Sequence, residues 1–516
     1  MDHGPITYDS MATETAEGAA NPGDFQQAKR LTPAPQFLQI VAKPDRRTKP
    51  AKPQPKLTRV AFRVSRLMEF CSARELQNQT GHSVHEWPLV VLKELMDNAL
   101  DACEEAEVAP EIFITVDANS ITVQDNAGGI EADTITSILD YTIRVSSREA
   151  YVSPTRGAQG NALKTILAMG YVLDREVTKS DTDAVGVTII KTRGVEHRIE
   201  FRVDHINNQP KIEHTKTRSA VDVGTKITVK WPTSQAEKLF SWNARRFQEL
   251  AESYVWFNPH LTLQGLWQGR EFVNVTATNP NWEKWCPRNP TSPHWYDEIR
   301  LQRYLAAHVA RNRDLGRNPT VREFIGEFCG LRGSAVQRKI LAEVGCSHQS
   351  LAEFFGIERV NRSGIAKLLA AMQRHSKTVK PKLLGIIEAE HLKQRFLEAG
   401  GNADTFKYQQ RKYTNDHGIP SVIEFAFGLH QSGLELQGAA VSRKFITGAN
   451  WSVGINNPFR NFGSTGEGLE STLAKVRANA TQPVICALHL ASAYVQYADR
   501  GKSSIILTDD AEQPDD

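Results

Sequence analysis

Paired cysteines, long apolar runs and a large net charge are all lacking in this sequence of 516 residues. Its six cysteines are scattered and none has CxxC spacing, so they indicate neither a zinc site nor a disulfide framework. A reducing compartment is therefore the simpler interpretation. The net charge of +3 is nearly balanced, so total charge does not mark the chain as a nucleic-acid binder, and any basic surface must be local.

Targeting and membrane segments are also missing from the sequence. No stretch approaches the ~20 apolar residues that a membrane helix needs, and no apolar run follows a basic start at the N-terminus. We therefore expect a soluble protein without a membrane partner, cytoplasmic and associated with the nucleoid. Hydrophobic residues make up 40% of the chain, which suffices for several cores, and the length predicts about three domains.

The two ends of the chain differ in composition from its middle. Residues 1–56 are poor in apolar residues, rich in proline and basic toward their end, which predicts a disordered segment. This segment is interpreted either as a solvated linker or as an arm that contacts nucleic acid or a partner subunit. Residues 509–516 form an acidic tail.

Between these ends, the periodicity of the apolar residues predicts an α+β protein with three domains. Residues 57–265 are predicted to form a helix at 89–105 followed by a mostly antiparallel sheet, an α/β sandwich. Residues 266–400 contain successive helices, with helix-start signals at Pro319-Thr320 and at Ser334. Strand signals return in residues 401–508, which predict a second α/β domain.

The helix at 89–105 carries the first candidate site. Glu94 and Asn98 are four residues apart, so their side chains share a helix face. A carboxylate can take a proton from an attacking water, and a carboxamide oxygen can ligate magnesium, which tolerates few ligands from protein. Taken alone, the pair is also compatible with an ordinary solvated helix face.

A second candidate site follows the predicted strand at 121–124, in the Asp-Asn-Ala-Gly-Gly sequence from Asp125 to Gly129. A carboxylate at a strand end can accept a hydrogen bond from the amino group of adenine. Two glycines beside it let the backbone approach a flat ring. By itself, the same sequence is equally compatible with a simple turn.

The third candidate site is a glycine-rich loop at the start of a predicted helix. Glycines in this position expose backbone N–H groups to phosphates, and a lysine in the first turns of the helix is disfavoured unless an anion is near. A lone glycine loop is weak support for a nucleotide site, whereas three such motifs in this order and spacing are strong support. The predicted loop residues are Gly157, Ala158, Gln159, Gly160, Asn161, Ala162, Leu163 and Lys164.

Together, the three motifs resemble the nucleotide site of the GHKL superfamily of ATPases, which have the Bergerat fold. Residues 94–102 are similar to the N box of that superfamily, residues 125–129 to its G1 box and residues 156–164 to its G2 box. The resemblance implies a Mg²⁺-ATP site under a lid that closes on the γ-phosphate. One departure is Ala162, since the superfamily often has a further glycine there.

The rest of the chain resembles the B subunit of DNA topoisomerase VI, the type IIB enzyme of this superfamily. Residues 258–260 resemble the end of its ATPase domain, and the helical region resembles its helix-two-turn-helix domain. Residues 483–492, followed by Gly501-Lys502, resemble its transducer domain. In that family the matching lysine reaches the γ-phosphate and senses hydrolysis. The resemblance therefore implies a catalytic role for Lys502, with a surface turn lysine as the alternative.

The resemblance implies a subunit that dimerises on ATP as a DNA gate and drives strand passage by a separate, topoisomerase VI A-like cleavage subunit. The sequence shows no tyrosine nucleophile context and no acidic metal cluster of a cleavage subunit, so DNA cleavage is expected on that partner. The family's transducer ends in a long helix, for which we find no counterpart before Asp516. The alternative function is an ATP-dependent clamp that acts on DNA or protein without topoisomerase activity.

Two further groups of residues are candidates for contacts with phosphates. Basic residues of the helical region are expected either to meet the DNA backbone or to form a solvated helix surface: Arg317, Arg322, Arg332, Arg338 and Lys339. Candidate lid or nucleotide-phosphate groups precede the glycine loop: Arg144, Ser147 and Arg148.

Overall fold

Two β-sheets, with a group of short helices between them in sequence, make up the part of the chain that the computed structural model describes. The helices and the largely antiparallel sheets confirm the predicted α+β class. The segment 1–56 and the tail 509–516 lie outside the described residues. The described residues are 70–139, 150–157, 162–180, 183–204, 209–286, 288–356, 359–431, 443–460, 467–478, 481–498 and 504–506.

The first sheet has eight strands, one of which ends directly before the second predicted motif. Its strands are β1 (Glu111–Val116), β2 (Ser120–Gln124), β3 (Gly186–Thr192), β4 (Val195–Asp204), β5 (Gln209–Arg218), β6 (Thr225–Lys230), β7 (Thr262–Trp267) and β8 (Arg270–Val275). Their order is β5-β4-β3-β6-β2-β1-β7-β8. Neighbours pair antiparallel except β1 and β7, which are parallel. The predicted domain boundary at residue 265 falls inside β7, and the sheet continues through β8.

Helices pack against this sheet and against one another. They are α1 (Ala73–Thr80), α2 (Trp87–Glu105), α3 (Ala132–Ile138), α4 (Ala162–Thr178) and α5 (Thr233–Phe257). α2 packs on β2, α4 on β3 and α5 on β8, and α2 also contacts α4 and α5. Residues of β3 alternate between buried and half-buried, which is the pattern of a strand with one face on the core. Pro88 lies in the first turn of α2, where the N–H group that proline lacks would have no intrahelical partner.

Between residues 298 and 374, the described part of the helical region forms five short or medium helices. They are α6 (Glu298–Asp314), α7 (Val321–Ile325), α8 (Ser334–Val344), α9 (Leu351–Phe355) and α10 (Arg362–Arg374). Thr320 caps α7, as predicted. α8 begins at Ser334, as predicted, with Gly333 at the cap position. Tyr304, Phe324 and Phe328 stack edge to face or tilted in the core of this region.

The second sheet has five strands. They are β9 (Lys407–Thr414), β10 (Pro420–Leu429), β11 (Lys444–Ala449), β12 (Ser452–Val453) and β13 (Val484–Ser492). Their order is β12-β11-β13-β10-β9, with only β11 and β13 parallel. Every residue of the central strand β13 is buried. The remaining helices are α11 (Ala389–Glu398), which packs against α5 and β10, and α12 (Leu469–Lys475). Within the described ranges, no helix is long and apolar enough to cross a membrane.

The capping box at the start of α7 provides a test of this region. Thr320 Oγ1 accepts a hydrogen bond from the Glu323 N–H at 3.2 Å, and the Glu323 carboxylate accepts one from the Thr320 N–H at 2.6 Å. We expect Thr320→Ala to lower the free energy of unfolding by about 0.5–2 kcal/mol, and Thr320→Ser, which keeps the hydroxyl, to leave it unchanged. Urea denaturation followed by tryptophan fluorescence measures both changes. Identical midpoints for all three proteins would show that the cap does not stabilise the fold.

Candidate functional site

Helix α2 presents the first predicted motif on an accessible face. Leu92, Leu95 and Ala99 are buried, whereas Glu94 is half-buried and Asn98 is exposed. The two polar side chains therefore share a face, as their spacing predicts.

The described residues contain no cluster of acids, histidines or cysteines for a metal. No group of three or more such side chains is placed to hold an ion in these parts of the chain. Magnesium takes oxygen ligands and commonly keeps several waters. An ion at this helix would therefore depend on the exposed Asn98 amide oxygen together with phosphate oxygens and water, which fits the predicted donor set.

Asp125 lies directly after β2 with a buried carboxylate that the backbone orients. Its Oδ1 accepts hydrogen bonds from the N–H groups of Ala127 at 2.9 Å and Thr225 at 3.1 Å. Burial raises the pKa of Asp125 to about 6, although these two N–H groups favour the ionised form. The hydrogen bonds found in the described residues use Oδ1, so Oδ2 is the oxygen available to a ligand.

Two residues at the start of β6 complete this site, and the sequence motifs did not include them. Gly224 has φ +77°, and a Cβ there would meet the Asp125 carbonyl oxygen at 1.9 Å. Asp125 N–H donates to the carbonyl of Thr225 at 3.0 Å, so the two residues are neighbours. The Thr225 hydroxyl is buried and has no partner among the described residues. A buried hydroxyl without a partner is costly unless a ligand or water binds it. The sequence feature that could have indicated these residues is the Gly224-Thr225 pair at the start of a β-branched strand.

The two glycines of the second motif have different roles. Gly129 has φ +78°, and a Cβ there would lie 2.6 Å from Thr192 Oγ1. That hydroxyl accepts a hydrogen bond from the Ile130 N–H at 3.0 Å, so Gly129 is required by the turn itself. Gly128 is exposed, and a Cβ there would meet nothing within 4 Å. Gly128 therefore leaves open space near Asp125.

The second motif is also tied to α2. Asn126 Oδ1 accepts hydrogen bonds from Cys103 Sγ at 3.2 Å and from the Glu111 N–H at 3.0 Å, and its Nδ2 donates to the Ala109 carbonyl at 3.0 Å. Asn126 is therefore a structural residue that holds the loop against the end of α2.

The structure describes only the two ends of the third motif. Gly157 is exposed, Leu163 is half-buried, and Lys164 is buried in the first turn of α4. Because α4 packs against α2, the third motif adjoins the helix of the first. Only the backbone of Ala162 is described, and several predicted groups lie outside the described residues: Ala158, Gln159, Gly160, Asn161, Arg144, Ser147, Arg148 and Lys502.

Arg156, directly before Gly157, is buried in an ionic cluster on α2. Its guanidinium donates to both carboxylate oxygens of Glu104, at 2.6 and 2.7 Å, and to Asp101 at 2.7 Å. Burial alone would raise the pKa of Glu104, but the charges of Arg156 and Lys284 hold this pKa well below its usual range. The described parts of the three motifs thus lie around α2.

Comparison with known sequences supports the same family. No family model matches the chain. The chain is 26% identical over 297 residues to the B subunit of type 2 DNA topoisomerase 6 from Archaeoglobus fulgidus. The aligned region covers 55% of this chain and 44% of that protein. It is 23% identical over 486 residues to the same subunit of Methanosarcina barkeri. The aligned region covers 85% of this chain and 70% of that protein. The chain resembles the B subunit of DNA topoisomerase VI. This confirms the predicted resemblance, although the first match spans less than half of the Archaeoglobus protein.

Solved ATPase structures show a more distant similarity. The Aquifex aeolicus MutL ATPase domain complexed with ADP has a TM-score of 0.31 and 13% identity, covering 77% of this chain and 90% of that one. The ATPase region of Saccharomyces cerevisiae topoisomerase II has a TM-score of 0.34 and 10% identity, covering 83% and 80%. These TM-scores are low, so the description of the site depends on the contacts given above.

Gly224→Ala tests the close approach of β6 to Asp125. The added methyl group would meet the Asp125 carbonyl oxygen, and alanine would have to adopt a left-handed backbone. We expect the free energy of unfolding to fall by about 1–3 kcal/mol. Gly128→Ala, which enters open space, is the matched control and should change it by less than about 0.5 kcal/mol. Thermal unfolding followed by circular dichroism measures both. Equal destabilisation by the two changes would contradict the close approach.

Proposed function

We propose that this chain is the ATP-binding and ATP-hydrolysing subunit of a type IIB DNA topoisomerase. The observation that carries the proposal is the buried carboxylate of Asp125, whose Oδ1 is bonded to backbone N–H groups and whose Oδ2 is kept for a ligand. The neighbouring Thr225 has a buried hydroxyl without a partner among the described residues, and a Cβ at Gly128 would enter open space. The sequence similarity to the B subunit of topoisomerase 6 supports the choice of enzyme. DNA cleavage is assigned to a separate A-like subunit.

Each motif has one task in the proposed reaction. Asp125 accepts a hydrogen bond from the adenine amino group, and backbone N–H groups of the loop at 157–164 hold the phosphates. Asn98 holds Mg²⁺, which neutralises phosphate charge when bound. Glu94 takes the proton of the attacking water, and Lys502 contacts the γ-phosphate and senses its loss.

ATP binding, in this proposal, brings two copies of the chain together as a gate for duplex DNA. A contact that exists only with the γ-phosphate gives the open and closed states different free energies, which is the condition for ligand-driven motion. The helical region offers exposed cations that would meet DNA phosphates in a sequence-independent and salt-sensitive way. These are Arg317, Arg322, Arg332, Arg338 and Lys339.

Glu94→Ala separates nucleotide binding from turnover. The change removes the proposed general base but leaves the other nucleotide contacts. ADP affinity should therefore stay within about threefold of wild type, while kcat falls by about 100-fold or more. Glu105→Ala, at an exposed carboxylate on the same helix, is the control. Calorimetric titration and a coupled ATPase assay measure the two quantities. Unchanged hydrolysis by Glu94→Ala would remove Glu94 as the base.

The raised pKa of Asp125, about 6, predicts a pH dependence of nucleotide affinity. Protonation below this pKa removes the acceptor for the adenine amino group. The affinity of the wild-type chain for ADP should therefore fall about tenfold between pH 7 and pH 5, beyond any change that Asp125→Asn also shows. Asp125→Asn is the control, because the ADP phosphates titrate equally with the wild-type chain and with the variant. The variant should bind ADP weakly at both pH 7 and pH 5. Parallel pH profiles would show that Asp125 does not contact adenine.

Relaxation of supercoiled DNA tests the function as a whole. The purified chain is combined with the cleavage partner recovered by pull-down from native cells. Relaxation that requires ATP and both proteins supports the proposal. ATP-dependent dimerisation and DNA binding without relaxation or cleavage would favour the alternative, a clamp that acts on DNA or protein without strand passage.

A further inference from the structure

A three-residue turn in the second sheet contacts two of the nucleotide motifs. Residues 450–452, here called the Trp451 turn, lead from β11 into β12. Asn450 and Trp451 both have left-handed backbones, with φ of +48° and +62°. Residues other than glycine keep this conformation only where the surrounding structure holds it. Trp451 is fully buried, so specific contacts define the turn.

The first contacts of the Trp451 turn are with the residues directly before Gly157. Asn450 Nδ2 donates to the Thr155 carbonyl at 3.4 Å, and Arg156 Nε donates to the Trp451 carbonyl at 3.4 Å. Asn258 bridges the pair: its Oδ1 accepts from Arg156 at 2.6 Å, and its Nδ2 donates to the Trp451 carbonyl at 3.0 Å. The turn therefore holds the start of the glycine loop.

The second contacts are with α2, next to the proposed base and metal ligand. Ser452 Oγ donates to Asp97 Oδ2 at 2.7 Å and accepts from Lys93 Nζ at 2.5 Å. Lys93 and Asp97 directly precede Glu94 and Asn98 in the sequence. Since one turn of a hydrogen-bonded helix moves as a unit, a displacement of Ser452 also displaces Glu94 and Asn98.

The Trp451 turn is also bonded to the central strand β13. The Trp451 N–H donates to His489 Nε2 at 2.9 Å, and the Ser492 N–H donates to Asn450 Oδ1 at 2.8 Å. Burial lowers the pKa of His489 to about 3, so the ring stays neutral and Nε2 can accept. One turn thus connects β13 to the glycine loop and to α2.

We propose that Arg156 and Ser452 are positioning residues for ATP hydrolysis, which couple the five-stranded sheet to the nucleotide site through the Trp451 turn. Arg156 sets the start of the glycine loop against α2 and the turn. Ser452 sets the turn of α2 that carries Glu94 and Asn98. A shift of β13 changes their alignment, so that turnover responds to the second sheet while adenine binding does not. This inference rests on the proposed ATPase function.

Ser452→Ala is the first test variant. It removes one buried hydroxyl and with it the bonds to Asp97 and Lys93. Ser253→Ala is the matched control, because Ser253 is similarly buried but donates within its own helix, to the Glu249 carbonyl at 2.6 Å.

Arg156→Lys is the second test variant. It keeps the positive charge beside Glu104 but loses the planar fork that reaches several partners at once. Arg395→Lys is its matched control. Arg395 is equally buried and donates to Glu398 at 2.6 Å and to the Thr276 carbonyl at 2.7 Å, without contact to the Trp451 turn.

Steady-state kinetics should separate positioning from binding. We expect kcat to fall about tenfold or more in both test variants, because a small misplacement of reacting groups is costly to the rate. KM and ADP affinity should stay within about threefold of wild type, and both controls should match wild type. Unchanged kcat in both test variants would overturn the inference.

Hydrogen exchange of β13 supplies a readout that a purely structural role would not move. A non-hydrolysable ATP analogue should slow exchange across Val484–Ser492 in the wild-type chain, and Ser452→Ala should abolish this nucleotide-dependent change. If exchange in the variant is faster by the same factor with and without nucleotide, so that the analogue still slows it, the coupling is overturned. A wild-type chain that neither binds nor hydrolyses ATP would instead contradict the proposed function.

Discussion

The buried ion pair between Arg156 and Glu104 is the interaction on which the arrangement of the described residues depends. A buried charge is costly unless it is fully paired. Glu104 is paired from several directions, since Lys284 and His260 also contact its carboxylate, at 2.7 and 3.1 Å. Arg156 lies directly before the glycine loop, Lys284 follows β8 and His260 follows α5. One carboxylate of α2 therefore defines how these separate segments meet.

The candidate site follows from what this arrangement leaves accessible. Helix α2 uses Asp97, Asp101 and Glu104 to bind the rest of the protein, and its remaining polar face carries Glu94 and Asn98. Asp125 is buried but paired through one oxygen in the described residues. Such a half-satisfied carboxylate does little for stability, because burial disfavours its charge. A bound ligand would complete its hydrogen bonding, which is why perturbed carboxylates mark candidate sites.

Local sequence patterns predicted the elements that carry the motifs. The periodicity of the apolar residues predicted the helix at 89–105, which lies within α2, and the strand predicted at 121–124 lies within β2. The helix-start signal at Ser334 predicted α8, which begins at that residue with Gly333 at the cap position. The assignments of Lys502 and of the centre of the glycine loop remain predictions, since these residues lie outside the described ranges.

The sequence by itself determined which residues are candidates for a nucleotide site, because each motif holds its chemistry within a few neighbouring side chains. Only the tertiary structure decided that Thr225 stands beside Asp125, 100 residues earlier. It alone decided that Arg156 belongs to a buried ionic cluster and that Ser452 bonds to α2. Such contacts depend on which strands pair and which helices pack. That choice is made by burying apolar surface and pairing charges across the whole chain at once, and local spacing does not encode it.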